Sequence, residues 1–316
     1  MTLLQIMISA TDFPMSPFLS NLVPAILAAF GVQFIFGIHG ILFHTEFFYD
    51  FSGGWTFFLT LLSSFVVPVL RRGASIEFNL GSALETWNWR QLVFTGATLV
   101  YSTKLSTFLF CRVIKERHDS RFEKMRHNPR RFALLWTVQA VWVTLCCLPT
   151  IAVNSIHPAA FKAGMGVPSP LRTDVIGLGL FAFGLMYETV ADYQKWVWFA
   201  EKKRKVHDEQ FITRGLWGRS RYPNYLGDIT LWTGMAIAAA GVLTQGPIKA
   251  HLGWWGLAGQ LKALLIPGLA PAFVAWALLR ASGVPLSEAK YDRLYGDRKD
   301  YQQWRRNTPL LFPKIW

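Results

Sequence analysis

The sequence predicts an all-α, polytopic membrane protein with about seven transmembrane helices. Of the 316 residues, 52% are hydrophobic, and they occur in long blocks rather than in the alternation of a half-buried strand. Most blocks approach or exceed the about 20 residues that a helix needs to cross the hydrocarbon core of a bilayer. In chain order, the predicted spans are 22–43, 55–70, 91–110, 132–153, 173–190, 225–244 and 254–279.

The distribution of basic residues predicts the orientation. The net charge is +13, and 24 of the 32 Lys and Arg residues lie in segments 111–131, 191–222 and 280–316. Because seven spans place all three segments on one side, the positive-inside rule makes that side cytoplasmic. The C-terminus is then cytoplasmic and the N-terminus lies on the far side. Basic residues that lie in the segments between and after the spans indicate contact with membrane lipid. No nucleic-acid partner is expected.

Residues 1–90 are predicted to form an N-terminal transmembrane region with spans 1 and 2 and an interfacial loop. Span 1 carries His39 and His44, followed by Glu46. Histidines five apart do not share a helix face, and no third strong ligand is nearby, so no metal site is expected. Polar residues at a helix end or a cavity wall are the preferred interpretation.

Residues 91–316 are predicted to form the functional region, and its first polar pair lies in span 3. Tyr101 and Lys104 are three apart, one turn along the helix. A lysine this far inside a span either extends its amine to the cytoplasmic interface or meets an anion. Both interpretations stay open.

Span 5 ends in a polar helix face. Glu188, Asp192 and Lys195 fall at i, i+4 and i+7. One interpretation is a set of ion pairs at a helix end. The favoured one is a polar wall for a ligand, because a carboxylate at membrane depth is costly if it has no function.

The run from Arg214 to Trp232 is a basic, aromatic loop that leads into the apolar span 6. Pro223 suits the first turn of a helix, since its missing N–H is not needed there. Asn224 and Asp228 then lie one turn apart on one face. With the arginines of the loop above them, they predict a site for an anionic polar ligand. The alternative is a basic loop on lipid headgroups.

The tail, residues 280–316, mixes Tyr, Arg and acids at helical spacing and ends in an apolar, Pro-containing segment. This pattern predicts a short amphipathic helix at the cytoplasmic mouth of the bundle. It is either an interfacial helix or a lid that supplies Arg and Tyr to a phosphate-bearing ligand.

Two stretches carry a family resemblance. The run Arg221-Tyr222-Pro223-Asn224-Tyr225-Leu226-Gly227-Asp228 resembles the R-H-P-N-Y-x-G-[DE] motif of the steroid 5α-reductase and sterol reductase superfamily. The wider pattern, from Lys104-Leu105 through Glu188 to the Phe-Pro end of the tail, looks like the DUF1295 branch of that superfamily. The resemblance covers roughly residues 95–316.

This resemblance implies an NADPH-dependent membrane reductase that acts on an activated C=C bond in a lipophilic steroid, sterol or other lipid-like substrate. Such an enzyme would sit in the endoplasmic reticulum membrane of a eukaryote or the inner membrane of a bacterium. Tyr101 would be the substrate-side acid. The cofactor-binding residues would be Lys104, Glu188, Asp192, Lys195, Arg214, Arg219, Arg221, Tyr222, Asn224, Asp228, Arg280, Tyr291 and Tyr301.

The sequence departs from the superfamily at two points. The motif histidine is Tyr222, and span 2 lacks the acid that partners the tyrosine in steroid 5α-reductases. One alternative is an S-adenosylmethionine-dependent membrane methyltransferase of the isoprenylcysteine carboxyl methyltransferase type. That family shares the R-x-P-x-Y-x-G element and a tail resembling Glu288, Tyr295-Gly296, Tyr301 and Pro313. A non-catalytic sterol-binding relative is the other alternative.

Overall fold

A computed structural model describes residues 15–73, 86–116, 122, 125, 127–163 and 166–314. This part of the chain is helical and contains no strand, which confirms the all-α class. The helices, in chain order, are α1 Pro17–Phe43, α2 Tyr49–Arg71, α3 Trp89–Glu116, α4 Pro129–Asn154, α5 Arg172–Lys203, α6 Pro223–Leu243, α7 Gly246–Leu252, α8 Gly256–Trp276, α9 Gly283–Tyr295 and α10 Lys299–Asn307. Short 3₁₀ turns lie at Pro158–Phe161 and Gly215–Gly218, and a π turn at Ala277–Ala281 follows α8.

Local sequence explains several helix starts. Ser16 precedes Pro17 of α1, and its hydroxyl accepts a hydrogen bond from the Leu19 amide at 3.4 Å. Asn128 precedes Pro129 of α4 and accepts from the Arg131 amide at 3.2 Å. Both starts combine a side-chain cap with a proline at the first helical position, where no N–H is required.

Six helical stretches among the described residues are long and apolar enough to cross a membrane. They are Pro17–Phe43, Tyr49–Arg71, Pro129–Asn154, Arg172–Lys203, Pro223–Leu243 and Gly256–Tyr295. Each contains or overlaps one predicted span. The remaining prediction, 91–110, lies in α3, which is helical but is not one of the six. Polar residues along α3, such as Gln91 and Lys104, lower its hydropathy. The orientation of the chain stays a prediction.

The chain divides into two compact units. The first comprises the described residues of Met1–Asp174 and Ile237–Ala270, and the second comprises those of Val175–Ala236 and Pro271–Trp316. These units are defined by which residues pack together, whereas the predicted regions 1–90 and 91–316 were defined from sequence features. The division into those two regions stays a prediction.

The first unit contains α1 to α4, and its interior has a polar seam. Gln33 of α1 donates to Thr56 of α2 at 2.7 Å. Asn154 of α4 donates to Ser64 at 3.2 Å and to Thr95 at 3.1 Å. All five residues are buried. Hydrogen bonds between neighbouring helices stabilise a membrane bundle, because lipid tails are as apolar as the side chains and the hydrophobic effect does little to bring helices together.

One ion pair of the first unit was not foreseen from the sequence. Arg90 at the start of α3 donates to Asp174 from Nε at 3.0 Å and from a terminal nitrogen at 2.7 Å. Both side chains are almost fully buried, at 1% and 2% exposed. A buried charge of this kind needs its partner, so the pair joins the start of α3 to the start of α5.

Candidate functional site

Glycines bring α5 and α6 into close contact within the second unit. A Cβ added at Gly184 of α5 would lie 2.5 Å from the Leu231 amide nitrogen, and one at Gly227 of α6 would lie 2.6 Å from the Glu188 amide nitrogen. Real Cβ atoms do not approach backbone this closely, so both positions require glycine. The helices therefore pack backbone to backbone, as small residues allow in membrane bundles.

This close packing brings the predicted polar residues of the two helices together. The Asn224 amide donates to a carboxylate oxygen of Asp192 at 3.3 Å. Glu188 lies one turn before Asp192, beside Gly227, and Asp228 lies one turn after Asn224. Glu188 is buried at 6% exposed, and the other three are partly buried. Asp192 and Asn224 are therefore in contact, Glu188 lies where the two helices meet, and Asp228 follows Asn224 one turn along α6.

The oxygen atom of the Asn224 side-chain amide is buried and accepts no hydrogen bond from the described residues. An acceptor left in this state costs free energy unless a ligand or water satisfies it. The four polar residues, Glu188, Asp192, Asn224 and Asp228, are called the acid–amide cluster below. It can accept hydrogen bonds from hydroxyl and amide groups and donate from the Asn224 nitrogen.

The loop before α6 is held to α5 by one turn of 3₁₀ helix. The Gln194 side chain accepts from the Leu216 amide at 2.9 Å, and the Trp217 indole donates to the Ala191 carbonyl at 2.9 Å. Lys195 lies over the Trp217 ring, 4.5 Å from its centroid, in a cation–π contact. Lys195, predicted to bind phosphate, thus lies against the loop that also carries the arginines.

Two motif residues bind the tail. Arg221 donates to both carboxylate oxygens of Glu288 in α9, at 3.0 and 2.9 Å. The Tyr222 hydroxyl donates to the same carboxylate at 2.8 Å. Burial, followed by the hydrogen bond and charge of Glu288, raises the pKa of Tyr222 far above its usual value. Tyr222 is therefore a neutral donor at physiological pH.

The tail makes further contacts around the same carboxylate. Arg305 of α10 pairs with Glu288 at 2.9 Å and also with Asp292. The Tyr301 hydroxyl donates to Asp292 at 3.2 Å. Burial and the neighbouring Asp292 charge raise the pKa of Tyr301 to about 12. Tyr301 is 1% exposed, so its side chain packs inside the tail.

Backbone hydrogen bonds extend this attachment to the chain end. The amides of Arg221 and Tyr222 donate to the carbonyls of Pro309 and Leu310 at 2.9 and 3.1 Å, and the Lys314 amide donates to the Arg219 carbonyl at 2.9 Å. The tail is therefore folded onto the motif loop and contains two helices, α9 and α10, where one short amphipathic helix was predicted, and its cytoplasmic location stays a prediction. The sequence did not show that Glu288 is the anchor, since its partners lie 66 and 67 residues earlier.

The other predicted cofactor residues occupy varied surroundings. Arg214 pairs with Glu201 and, at 3.7 Å, with Glu209. Arg219 and Arg280 are exposed, and neither makes an ion pair with another described residue. Tyr291 is partly buried, with its ring 6.0 Å from that of Tyr295. Among the predicted guanidinium groups, Arg219 and Arg280 are thus the ones not neutralised inside the described fold.

Tyr101 and Lys104 belong to the first unit. Tyr101 is 1% exposed and packs edge-on against Phe57, with ring centroids 6.1 Å apart. Lys104 is partly buried on the same helix, α3. Their predicted roles stay predictions. In the described residues, no group of three His, Cys, Asp or Glu side chains is placed to hold a metal ion.

The apolar helices of the fold define the class of protein. Six apolar helices of membrane-crossing length, counted among the described residues, indicate an integral membrane protein. The sequence profile of the family described as a protein of unknown function, DUF1295, matches residues 48–308, and the chain belongs to that family. No curated protein and no solved structure matches the chain significantly. The predicted DUF1295 membership is confirmed, and the wider link to steroid reductases stays a prediction.

Proposed function

We propose that this protein is an NADPH-dependent membrane reductase that acts on an activated C=C bond in a lipophilic substrate. The acid–amide cluster carries the proposal. The buried side-chain oxygen of Asn224 accepts no hydrogen bond from the described residues, and an acceptor in this state costs free energy unless a ligand or water satisfies it. The family resemblance of the same residues supports a nicotinamide nucleotide as that ligand.

The residues present fit such a cofactor. The unsatisfied Asn224 oxygen suits an amide N–H of a nicotinamide, and the carboxylates of Asp192 and Asp228 suit ribose hydroxyls. Arg219 and Lys195 are suited to the phosphates. Arg214 and Arg221 would contribute only by releasing Glu201 and Glu288, so we assign them to holding the loop and the tail.

The chemistry divides between cofactor and protein. A bound reduced nicotinamide would supply a hydride to one carbon of the substrate double bond. The protein orients the ring through the acid–amide cluster and must deliver a proton to the other carbon, which leaves a saturated product. The family resemblance makes Tyr101 the proposed proton donor, with its hydroxyl acting as a general acid.

Ligand-induced stabilisation of the purified full-length protein tests the proposal. A ligand at 100 times its Kd stabilises the folded state by about 2.7 kcal/mol. We expect NADPH to raise the melting temperature of the wild type. Asn224→Ala should weaken the apparent affinity about tenfold or more, since it removes a buried hydrogen-bonding group. Asp300→Asn, a change at an exposed acid of the same unit, should leave NADPH binding unchanged.

S-adenosylmethionine serves as the competing ligand in the same assay. Stabilisation by S-adenosylmethionine and not by NADPH would replace the reductase proposal with the methyltransferase alternative. NADPH oxidation, followed by absorbance with a panel of lipophilic enones, then tests turnover. A protein that binds NADPH but loses no affinity in Asn224→Ala would refute the assignment of the cluster.

A further inference from the structure

A cavity of about 160 Å³ lies in the first unit, and none of its lining residues belongs to the acid–amide cluster. It is formed where α1 starts and where α2 and α4 end, with a contribution from α7. Its described lining includes Ser20, Pro68, Arg71, Arg72, His157 and His251. The volume exceeds the ~30 Å³ that one water molecule occupies in the liquid, so a multi-atom polar group fits.

Among the described residues that line this cavity, the charged and titratable side chains are two arginines and two histidines, and none is Asp or Glu. Arg71 donates to the Ser20 carbonyl, and Arg72 donates through Nε to the Pro68 carbonyl at 2.8 Å. These backbone contacts fix the guanidinium groups at the rim. The two terminal nitrogens of Arg72 donate to no described residue, so they can form a pair of hydrogen bonds with one anion.

Hydrogen bonds also fix the histidines. His251 Nε2 accepts from the His157 amide at 3.1 Å, and His157 Nδ1 accepts from the Ala159 amide at 3.1 Å. The neutral His157 ring therefore carries its proton on Nε2, as a donor. Burial lowers the pKa of both histidines, and repulsion by the nearby Arg72 charge lowers it further, whereas a backbone hydrogen bond with Ser155 opposes the shift at His251. An anion in the cavity would relieve this repulsion.

The position of the cavity indicates the source of an anion. It lies at the ends of α1, α2 and α4, three helices that are long and apolar enough to cross the membrane. Helix ends of this kind lie at the level of the lipid headgroups. Arginine side chains at that level can form charge-assisted, bidentate hydrogen bonds with lipid phosphates, and the first turn of α1 adds its positive dipole end.

We propose that this cavity is a binding site for a phosphate group, held by the Arg72 fork and His157 Nε2–H. The phosphate comes from a phospholipid headgroup or from free phosphate. The site stands independently of the proposed reductase activity, since none of its residues belongs to the acid–amide cluster.

The test uses full-length protein purified in detergent and stripped of lipid. Its thermal unfolding is measured against short-chain phosphatidic acid, inorganic phosphate and short-chain diacylglycerol, with sodium chloride keeping the ionic strength constant. We expect saturable stabilisation by phosphatidic acid and none by diacylglycerol. Saturable stabilisation by inorganic phosphate at similar concentrations would identify free phosphate as sufficient. No saturable stabilisation by either phosphate compound overturns the proposal.

Two variants tie the effect to the cavity. Arg72→Gln should weaken phosphatidic acid binding about tenfold or more, because it removes a charge-assisted fork. His157→Asn keeps a side-chain acceptor for the Ala159 amide but loses the Nε2–H donor, so it tests the site even if Arg72→Gln does not fold. Arg130→Gln, an equal charge change at the exposed start of α4, is the control. Cavity variants that bind like this control refute the assignment.

Discussion

Replacement of Glu288 by alanine is the most informative change in the tail. The Glu288 carboxylate accepts two hydrogen bonds from Arg221 and one from Tyr222, and it pairs with Arg305 at 2.9 Å. The Arg221 and Glu288 side chains are each 16% exposed, whereas Arg305 is 40% exposed. The alanine variant thus leaves a largely buried guanidinium and a buried hydroxyl without their acceptor.

The magnitude follows from these contacts. Removal of one partner of a buried ion pair costs ~3–5 kcal/mol, and the residual exposure of Arg221 places this pair near the lower end. The exposed Arg305 contact adds little. We therefore expect the free energy of opening the tail to fall by ~3 kcal/mol. Glu288→Gln should lose less, because its amide oxygen still accepts from Tyr222.

Hydrogen exchange read by mass spectrometry measures this opening directly. Since each 1.4 kcal/mol is a factor of ten, the exchange of amides in α9 and α10 should accelerate roughly a hundredfold in Glu288→Ala. Asp300→Ala, which removes only an exposed pair with Arg298, should leave their exchange unchanged. Equal protection of α9 and α10 in Glu288→Ala and the wild type would show that this carboxylate does not anchor the tail.

Two further predictions concern helix packing and pH. Gly227→Ala should lower the melting temperature, because its Cβ would lie 2.6 Å from the Glu188 amide nitrogen and overpacking costs ~1–3 kcal/mol. Gly179→Ala is the control and should not lower it, since no atom lies near the added Cβ. Equal melting temperatures for the two variants would contradict the close approach of the helices. Burial lowers the folded-state pKa of His157 and His251, so their stabilising contribution is present above the ordinary value of about 6.5 and is lost as pH falls below it. In phosphate-free buffer, His251→Gln should reduce the loss of stability on acidification, and an unchanged pH profile would refute this.

The sequence was sufficient for most of the membrane helices because hydropathy is a local property of the chain. The predicted span 55–70 became α2, Tyr49–Arg71, which starts earlier and contains Asp50 in its first turn. The predicted span 254–279 overlaps Gly256–Tyr295, which includes the π turn, and Lys262 in it is exposed. The predicted span 91–110 is not among the six because polar residues such as Gln91, Thr98 and Lys104 lower its mean hydropathy.

The sequence alone determined the helical class, the DUF1295 membership and the shared helix face of Asn224 and Asp228, because composition, motif spacing and the 3.6-residue period are contained within short stretches. Only the tertiary structure decided which charges meet. Arg221 binds Glu288 and Arg90 binds Asp174, across 67 and 84 residues of chain. Such pairings depend on how each helix is rotated and on which helix lies beside it, and periodicity within one helix contains neither.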